Sequence, residues 1–201
     1  MMNNIQKPTL YVSTTSPFTR MIISIAHLYG VDAKLEFVLP WQTPSELTQA
    51  NPLSQVPALV LADGTVITET ALVLQALVPQ AFDAQTLPTL SKALGLLHLG
   101  VRSFTIVHFG KSDCGDHPLV TRSNTLLQQA LSALPPLEFQ HSAGDIALYC
   151  ALAWLELRLP QIYDSLSDIN KQAVAAFGND ELIRKTSADA LEKLPKSVMG
   201  L

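Results

Sequence analysis

Two short β-prone runs lie on either side of one predicted helix near the start of the chain. Residues 10–12 are β-prone, and apolar and other side chains alternate over residues 34–39, a pattern typical of a strand. Between them, apolar residues recur every three or four positions from Phe18 to Tyr29, and Gly30 is suited to end a helix. A strand, a helix and a strand in this order predict parallel strands joined by a right-handed crossover.

A second unit of different order follows within the next 40 or so residues. Residues 45–50 predict a short helix. Two apolar runs then surround Asp63-Gly64 and predict a hairpin with a two-residue turn. Thr68 to Thr70 open a predicted helix over Ala71 to Leu77. The β-α-β and β-β-α units together predict a four-stranded sheet within residues 1–78.

The remainder of the chain contains no convincing strand pair and predicts helices only. Ten consecutive apolar residues, 146–155, predict a helix that is apolar on every side, and such a helix belongs at the centre of a bundle. Ser142 and Asp145 precede it with capping-box spacing. The sequence therefore predicts an α/β domain over 1–78, a linker over 79–88 and an all-α helical bundle over 89–201.

Composition and charge argue against several classes of protein. Hydrophobic residues make up 48% of the chain and charged residues 15%, which indicates a folded chain. The net charge is −4 and no basic run occurs, so we expect no nucleic-acid partner. We also expect no membrane span, because unbroken apolar runs are too short, and no signal peptide in MMNNIQKPTL. Cys114 and Cys150 lack metal-binding spacing, so we expect no metal site and a reduced, cytoplasmic location.

Three stretches of the chain carry recognisable motifs. NPLSQVPALVLADGTVITET at 51–70 is similar to the glutathione-binding stretch of the glutathione S-transferase family, and SPFTR at 16–20 is similar to the start of the first helix in that family's serine-type members. SAGDIALYCALAWLELRLP at 142–160 resembles the family's capped central helix. The resemblance implies a thioredoxin-like N-terminal domain, a helical C-terminal domain and a cytoplasmic homodimer. It also implies an enzyme of detoxification that conjugates glutathione, its co-substrate, to a small apolar electrophile.

The same resemblance implies a set of glutathione contacts. In this family the bond before the residue that matches Pro57 is cis, which exposes the N–H and C=O of Val56 to pair with a peptide ligand. Glu69 and Thr70 lie at a predicted helix N-terminus, where free N–H groups and the helix dipole favour a carboxylate. Thr70 can donate a hydrogen bond, and Glu69 can accept one from an α-amino group. Neighbouring positions in the family imply two further contacts, from Trp41 and Gln55.

Ser16 is the candidate catalytic residue. Its hydroxyl, at the start of the first helix, would donate a hydrogen bond to the sulfur of glutathione and stabilise the thiolate. Alternatively, Ser16 only caps the helix before Pro17. If the helix starts earlier, Thr15, Thr14 or Ser13 takes the role in its place. Tyr11 is a further alternative, although its place within the strand favours the core.

Several other residues have more than one possible role or depart from the family pattern. His98 and Arg102 share a helix face and either line the electrophile pocket or play solvated or capping roles. Arg20 is expected in a structural ion pair. Ser54 and Gln55 stand where the family has glycine and lysine, and Thr70 stands for serine. These departures keep a second function open, an inactive protein of the same fold that acts by ligand binding or protein interaction.

Overall fold

A computed structural model describes residues 7–111 and 113–201 of the chain. Residues 1–6 lie outside the described residues. They belong to MMNNIQKPTL, in which we expected no signal peptide. The strands are β1 (Thr9–Val12), β2 (Lys34–Phe37), β3 (Ala58–Val60) and β4 (Val66–Thr68). The α-helices are α1 (Pro17–Leu28), α2 (Ser45–Ala50), α3 (Thr70–Leu77), α4 (Leu87–Phe109), α5 (Pro118–Ser132), α6 (Ala143–Arg158), α7 (Pro160–Tyr163), α8 (Asp168–Gly178), α9 (Glu181–Lys185) and α10 (Ala188–Leu191).

The four strands form one mixed sheet in the order β2-β1-β3-β4. β1 pairs with β2 in parallel, and β3 is antiparallel to both β1 and β4. The predicted fold class is confirmed: a thioredoxin-like α/β part is followed by a helical part. The predicted bounds of the short helix over 45–50 agree with α2.

The register of the sheet brings four strand ends to one edge. Val12 pairs with Phe37, and Ala58 faces both Tyr11 and Thr68. The carboxyl ends of β1, β2 and β4 therefore lie beside the amino end of β3. We call this the Val12 edge of the sheet. The chain segments that follow Val12, Phe37 and Thr68, and the one that precedes Ala58, all begin or end there.

The β3–β4 connection is longer than predicted. The sequence predicted a two-residue turn at Asp63-Gly64, but the strands are joined by residues 61–65. The Asp63 carboxylate accepts a hydrogen bond from the N–H of Thr65 at 2.9 Å, and Gly64 has a φ of 86°. This side-chain bond stabilises a wider turn, which a two-residue pattern does not reveal.

The chain forms two compact units, and the first includes the C-terminal residues. One unit contains the residues up to Asp83 together with Asp180–Leu201, and the other is Ala84–Asn179. The predicted domains had grouped 180–201 with the helical bundle. In the structure these residues hydrogen-bond to α1 and extend along β2, where Lys34 forms a β-bridge with Ser197.

The second unit is built around α6. The helix has buried residues on all sides, as its ten apolar residues predicted, and it packs against α4. Its capping box is present: the Ser142 hydroxyl accepts from Asp145 N–H at 3.1 Å, and the Asp145 carboxylate accepts from Ser142 N–H at 3.2 Å. Within this unit α4 is long and apolar enough to cross a membrane by length and composition alone, a test that core helices also pass.

Candidate functional site

Most of the predicted glutathione-site residues lie in segments that meet at the Val12 edge. Residues 13–16 follow β1, residues 38–42 follow β2, residues 51–57 precede β3, and residues 69–70 follow β4. The sheet register thus brings together hydroxyls, a cis-proline loop and a helix N-terminus that are far apart in sequence. His98 and Arg102 are exposed on α4, in the other unit.

Ser16 is the N-cap of α1. Its hydroxyl oxygen accepts a hydrogen bond from Thr19 N–H at 3.3 Å, and Pro17 occupies the first helical position. This is the capping geometry that the sequence offered as one alternative. Because the oxygen acts as the acceptor in that bond, the hydroxyl proton stays available to a second partner. The side chain is half-buried, so a ligand at the helix N-terminus has access to it.

The alternative hydroxyls are placed differently. Ser13 is only 6% exposed, and its hydroxyl lies 3.4 Å from that of Thr15, which is exposed. Tyr11 packs against a buried cluster that includes Val38. The pKa of Lys34 is raised, chiefly by its hydrogen bond to Glu36 and to a smaller extent by Tyr11.

The segment before β3 is organised by the side chain of Asn51. Asn51 is 3% exposed; its amide nitrogen donates to the Gln55 carbonyl at 2.9 Å, and its amide oxygen accepts from Leu53 N–H at 3.1 Å. The Val56–Pro57 peptide bond, which follows this turn, is cis. Within residues 7–111 and 113–201, the Val56 N–H and C=O have no hydrogen-bond partner. The sequence showed Asn51 only as a helix-breaking residue, so its role in shaping this loop was missed.

Ser54 connects this loop to the segment after β2. It has a φ of 50°, in the left-handed region, at the position where the family has glycine. Its hydroxyl donates to the Pro40 carbonyl at 3.0 Å. Pro40 begins the short 3₁₀ turn Pro40–Gln42, which carries Trp41 with 69% of its surface exposed. Gln55 also exposes its side chain.

Glu69 and Thr70 form the N-terminus of α3. Glu69 is the N-cap residue and has a φ of 68°, which is uncommon for a residue with a side chain and tends to occur at ligand sites. Its carboxylate is exposed. Thr70 is 6% exposed, and in the described part of the chain its hydroxyl has no hydrogen-bond partner. A polar group in this state at a helix N-terminus is suited to an anionic ligand.

The described residues contain no cluster of three or more His, Cys, Asp or Glu side chains that is suited to a metal ion. Cys150 is buried and Cys114 is partly buried, and in the described part of the chain neither forms a disulfide. The polar groups at the Val12 edge include hydroxyls, main-chain groups, side-chain amides and the Glu69 carboxylate. Such groups bind an extended peptide with charged ends through hydrogen bonds.

Comparison with known proteins agrees with this arrangement. Residues 15–78 match the family model described as the N-terminal domain of glutathione S-transferase. A glutathione transferase family member from Pseudomonas fluorescens Pf-5 with bound S-(propanoic acid)-glutathione is 18% identical, with a TM-score of 0.73 over 89% of this chain and 97% of that chain. A glutathione S-transferase from Methylobacillus flagellatus with glutathione bound is 22% identical, with a TM-score of 0.64 over 90% and 98%. No curated protein matches this chain.

Proposed function

We propose that this chain, whose residues 15–78 match the N-terminal domain of the glutathione S-transferase family, binds glutathione at the Val12 edge and transfers it to small apolar electrophiles. One observation carries the proposal. The hydroxyl of Ser16 at the start of α1 lies on the same sheet edge as the main chain of Val56 and the N-terminus of α3. Related structures that contain glutathione support this reading.

The proposed binding mode follows from the groups at that edge. Val56 offers one main-chain donor and one acceptor, which pair with the ligand as a neighbouring strand would. The γ-glutamyl carboxylate of glutathione fits the N-terminus of α3, where Thr70 adds a hydroxyl donor. Glu69 accepts from the adjacent α-amino group. Trp41 and Gln55 extend from loops at the same edge toward the rest of the tripeptide.

The proposed chemistry is stabilisation of a thiolate. A free thiol has a pKa near 8.5, so only about 3% is ionised at pH 7. If a hydrogen bond from Ser16 and the N-terminus of α1 lower the pKa by about two units, the ionised share rises to roughly three quarters. The thiol proton goes to solvent, and a sulfur lone pair forms the new bond to the electrophilic carbon. With an aromatic chloride, the carbon–chlorine bond then breaks and chloride leaves with its electron pair. Ser16 stays unmodified throughout.

Several finer points are predictions from the family resemblance. They are an electrophile site that includes His98 and Arg102, a homodimer, a cytoplasmic location and a role in detoxification. A second function, ligand or protein binding without catalysis, is favoured by one observation. The Ser16 hydroxyl already caps α1 through Thr19 N–H, and this structural role requires no ligand.

A paired serine substitution tests the proposal. The wild-type protein is titrated with glutathione, and conjugation rates with an aromatic chloride are then followed against pH. We expect Ser16→Ala to lower the rate and raise the apparent thiol pKa while the glutathione Kd stays nearly constant. Ser167→Ala is the matched control, because Ser167 caps α8 in the same way, through Asn170 N–H at 3.4 Å.

Loss of either cap should lower the free energy of unfolding by about 1 kcal/mol. A lower conjugation rate in Ser16→Ala than in Ser167→Ala would therefore reflect a catalytic role of Ser16 and not lost stability. Absence of binding at millimolar glutathione would remove the proposal. Glutathione binding by a wild-type protein without conjugation would favour the second function. If Ser16→Ala leaves the rate unchanged, the sulfur-facing role passes to Thr15 or Tyr11.

A further inference from the structure

Arg20 joins α1 to the C-terminal part of the chain. Its Nε donates to the Thr186 carbonyl at 2.9 Å, and its Nη2 donates to the Ile183 carbonyl at 3.4 Å. Both carbonyls lie at the C-terminal end of α9, where helical carbonyls lack partners and a cation is favoured by the helix dipole. The planar guanidinium holds both oxygens at once, which a lysine ammonium cannot reproduce.

A buried hydroxyl pair reinforces this contact one turn further along α1. Ser24 donates to the hydroxyl of Thr186 at 2.7 Å, and Thr186 donates to the Leu182 carbonyl at 3.1 Å. Neither Ser24 nor Thr186 is exposed to solvent. Hydrogen bonds between buried groups fix a specific geometry because an unpaired alternative is costly. The end of α9 therefore has one defined position on α1.

The last residues of the chain hold the other end of α1. His27, in its final turn, donates through Nδ1 to the Val198 carbonyl at 3.1 Å. Val198 N–H donates to the Ala33 carbonyl at 3.0 Å, and Leu35 N–H donates to the Lys196 carbonyl at 3.0 Å. Residues 180–201 thus contact α1 near both ends and also pair with the outer edge of β2.

These contacts lie one turn from the candidate catalytic hydroxyl. The N–H of Arg20 donates to the Ser16 carbonyl at 3.1 Å, and the N–H of Thr19 donates to the Ser16 hydroxyl. We infer that Arg20, held by residues 180–201, is a positioning residue that fixes the Ser16 hydroxyl relative to the Val12 edge. The inference rests on the proposed function for the role of Ser16 and extends it to a segment some 160 residues away.

The first test separates positioning from stability by kinetics. We expect Arg20→Met to lower kcat about 10- to 100-fold and to raise the apparent pKa of the bound thiol. The KM for glutathione should stay within about twofold, because Val56, Glu69 and Thr70 are unaffected. Arg20→Lys should recover part of the rate, since it restores one donor. An unchanged pH profile in Arg20→Met, with lower stability alone, would overturn the inference.

A matched control comes from the second unit. Asn170 is buried; its side chain accepts from Leu137 N–H at 2.8 Å and donates to the Pro135 carbonyl at 3.0 Å. Asn170→Ala therefore removes a comparable set of bonds between a side chain and the main chain. We expect this variant to be less stable than wild type, with kcat and the thiol pKa unchanged. A fall in kcat equal to that of Arg20→Met would attribute the effect to stability and overturn the inference.

Hydrogen exchange gives a readout that needs no glutathione. The Thr19 amide reports directly on the Ser16 cap, so we expect it to exchange about tenfold or more faster in Arg20→Met than in Asn170→Ala. Unchanged protection of Thr19 in Arg20→Met would overturn the inference. If wild type does not bind glutathione, the proposed function fails, and the exchange of Thr19 still decides whether Arg20 positions Ser16.

Discussion

Replacing Ser54 tests whether its backbone conformation is the reason that the family has glycine there. Ser54 has a φ of 50°, a region that costs a residue with a side chain about 1–2 kcal/mol. Its hydrogen bond to the Pro40 carbonyl stabilises the folded state by about 0.5–1.5 kcal/mol. Ser54→Ala loses the bond and keeps the backbone cost. We therefore expect a loss of about 1 kcal/mol in the free energy of unfolding.

Ser54→Gly also loses the bond, but it relieves the backbone cost. Glycine adds about 0.5–1 kcal/mol of unfolded-state entropy, so the glycine variant should be more stable than the alanine variant by about 0.5–1 kcal/mol. With a urea m-value of about 2 kcal/mol/M, the two midpoints should differ by about 0.3–0.5 M. Circular dichroism during urea titration measures both midpoints.

Ser132 provides the matched control for this comparison. Its hydroxyl also donates to a carbonyl, that of Ser165 at 3.2 Å, but it is the final residue of α5. There the order should be reversed, with Ser132→Gly less stable than Ser132→Ala by about 0.5–1 kcal/mol. If glycine is the less stable replacement at both serines, the reasoning from the φ of Ser54 is refuted.

Three further predictions concern separate sites. Asn51→Ala should cost about 1–3 kcal/mol of unfolding free energy and raise the KM for glutathione; Asn51→Asp, which keeps the acceptor, should cost less in both measurements. Asp145→Ala should lower thermal stability by about 1 kcal/mol and leave conjugation kinetics unchanged. Burial raises the pKa of Asp32, but its bonds to Lys7 and to Met199 N–H outweigh burial and leave the pKa lowered. The stabilisation from Asp32 is therefore present above pH 4 or so and lost as pH falls through the lowered pKa, so Asp32→Asn should flatten the acid limb of a stability–pH curve.

Local patterns were sufficient to predict most of the N-terminal fold. The bounds of α2 and the capping box at Ser142 and Asp145 depend on residues within one or two turns, so the sequence contains their full cause. The cap at Ser16 before Pro17 was predicted in the same way, whereas its role toward sulfur came from the family resemblance. The crossover rule predicted that β1 and β2 are parallel, whereas the order β2-β1-β3-β4, which brings the site segments to one edge, depends on pairings between strands that no local pattern contains.

Features that depend on distant contacts could not be predicted. The helical pattern of residues 180–201 is equally compatible with either unit, because the pattern records an apolar face and not its partner. Arg20 was expected in a structural ion pair, but its bonds to two carbonyl oxygens about 160 residues away in sequence could not be foreseen. Asn51 resembled an ordinary helix terminator, because its two side-chain bonds appear only when the loop has closed.

The inclusion of residues 180–201 in the first unit has a consequence during synthesis on the ribosome. The sheet and α1 emerge first, but the segment that covers the outer edge of β2 emerges only after the whole second unit. At roughly 5–20 residues per second, that delay is on the order of ten seconds. Throughout it, β2 presents an unpaired edge to other nascent chains, which makes this interval the period of greatest exposure to misassembly and to chaperone binding.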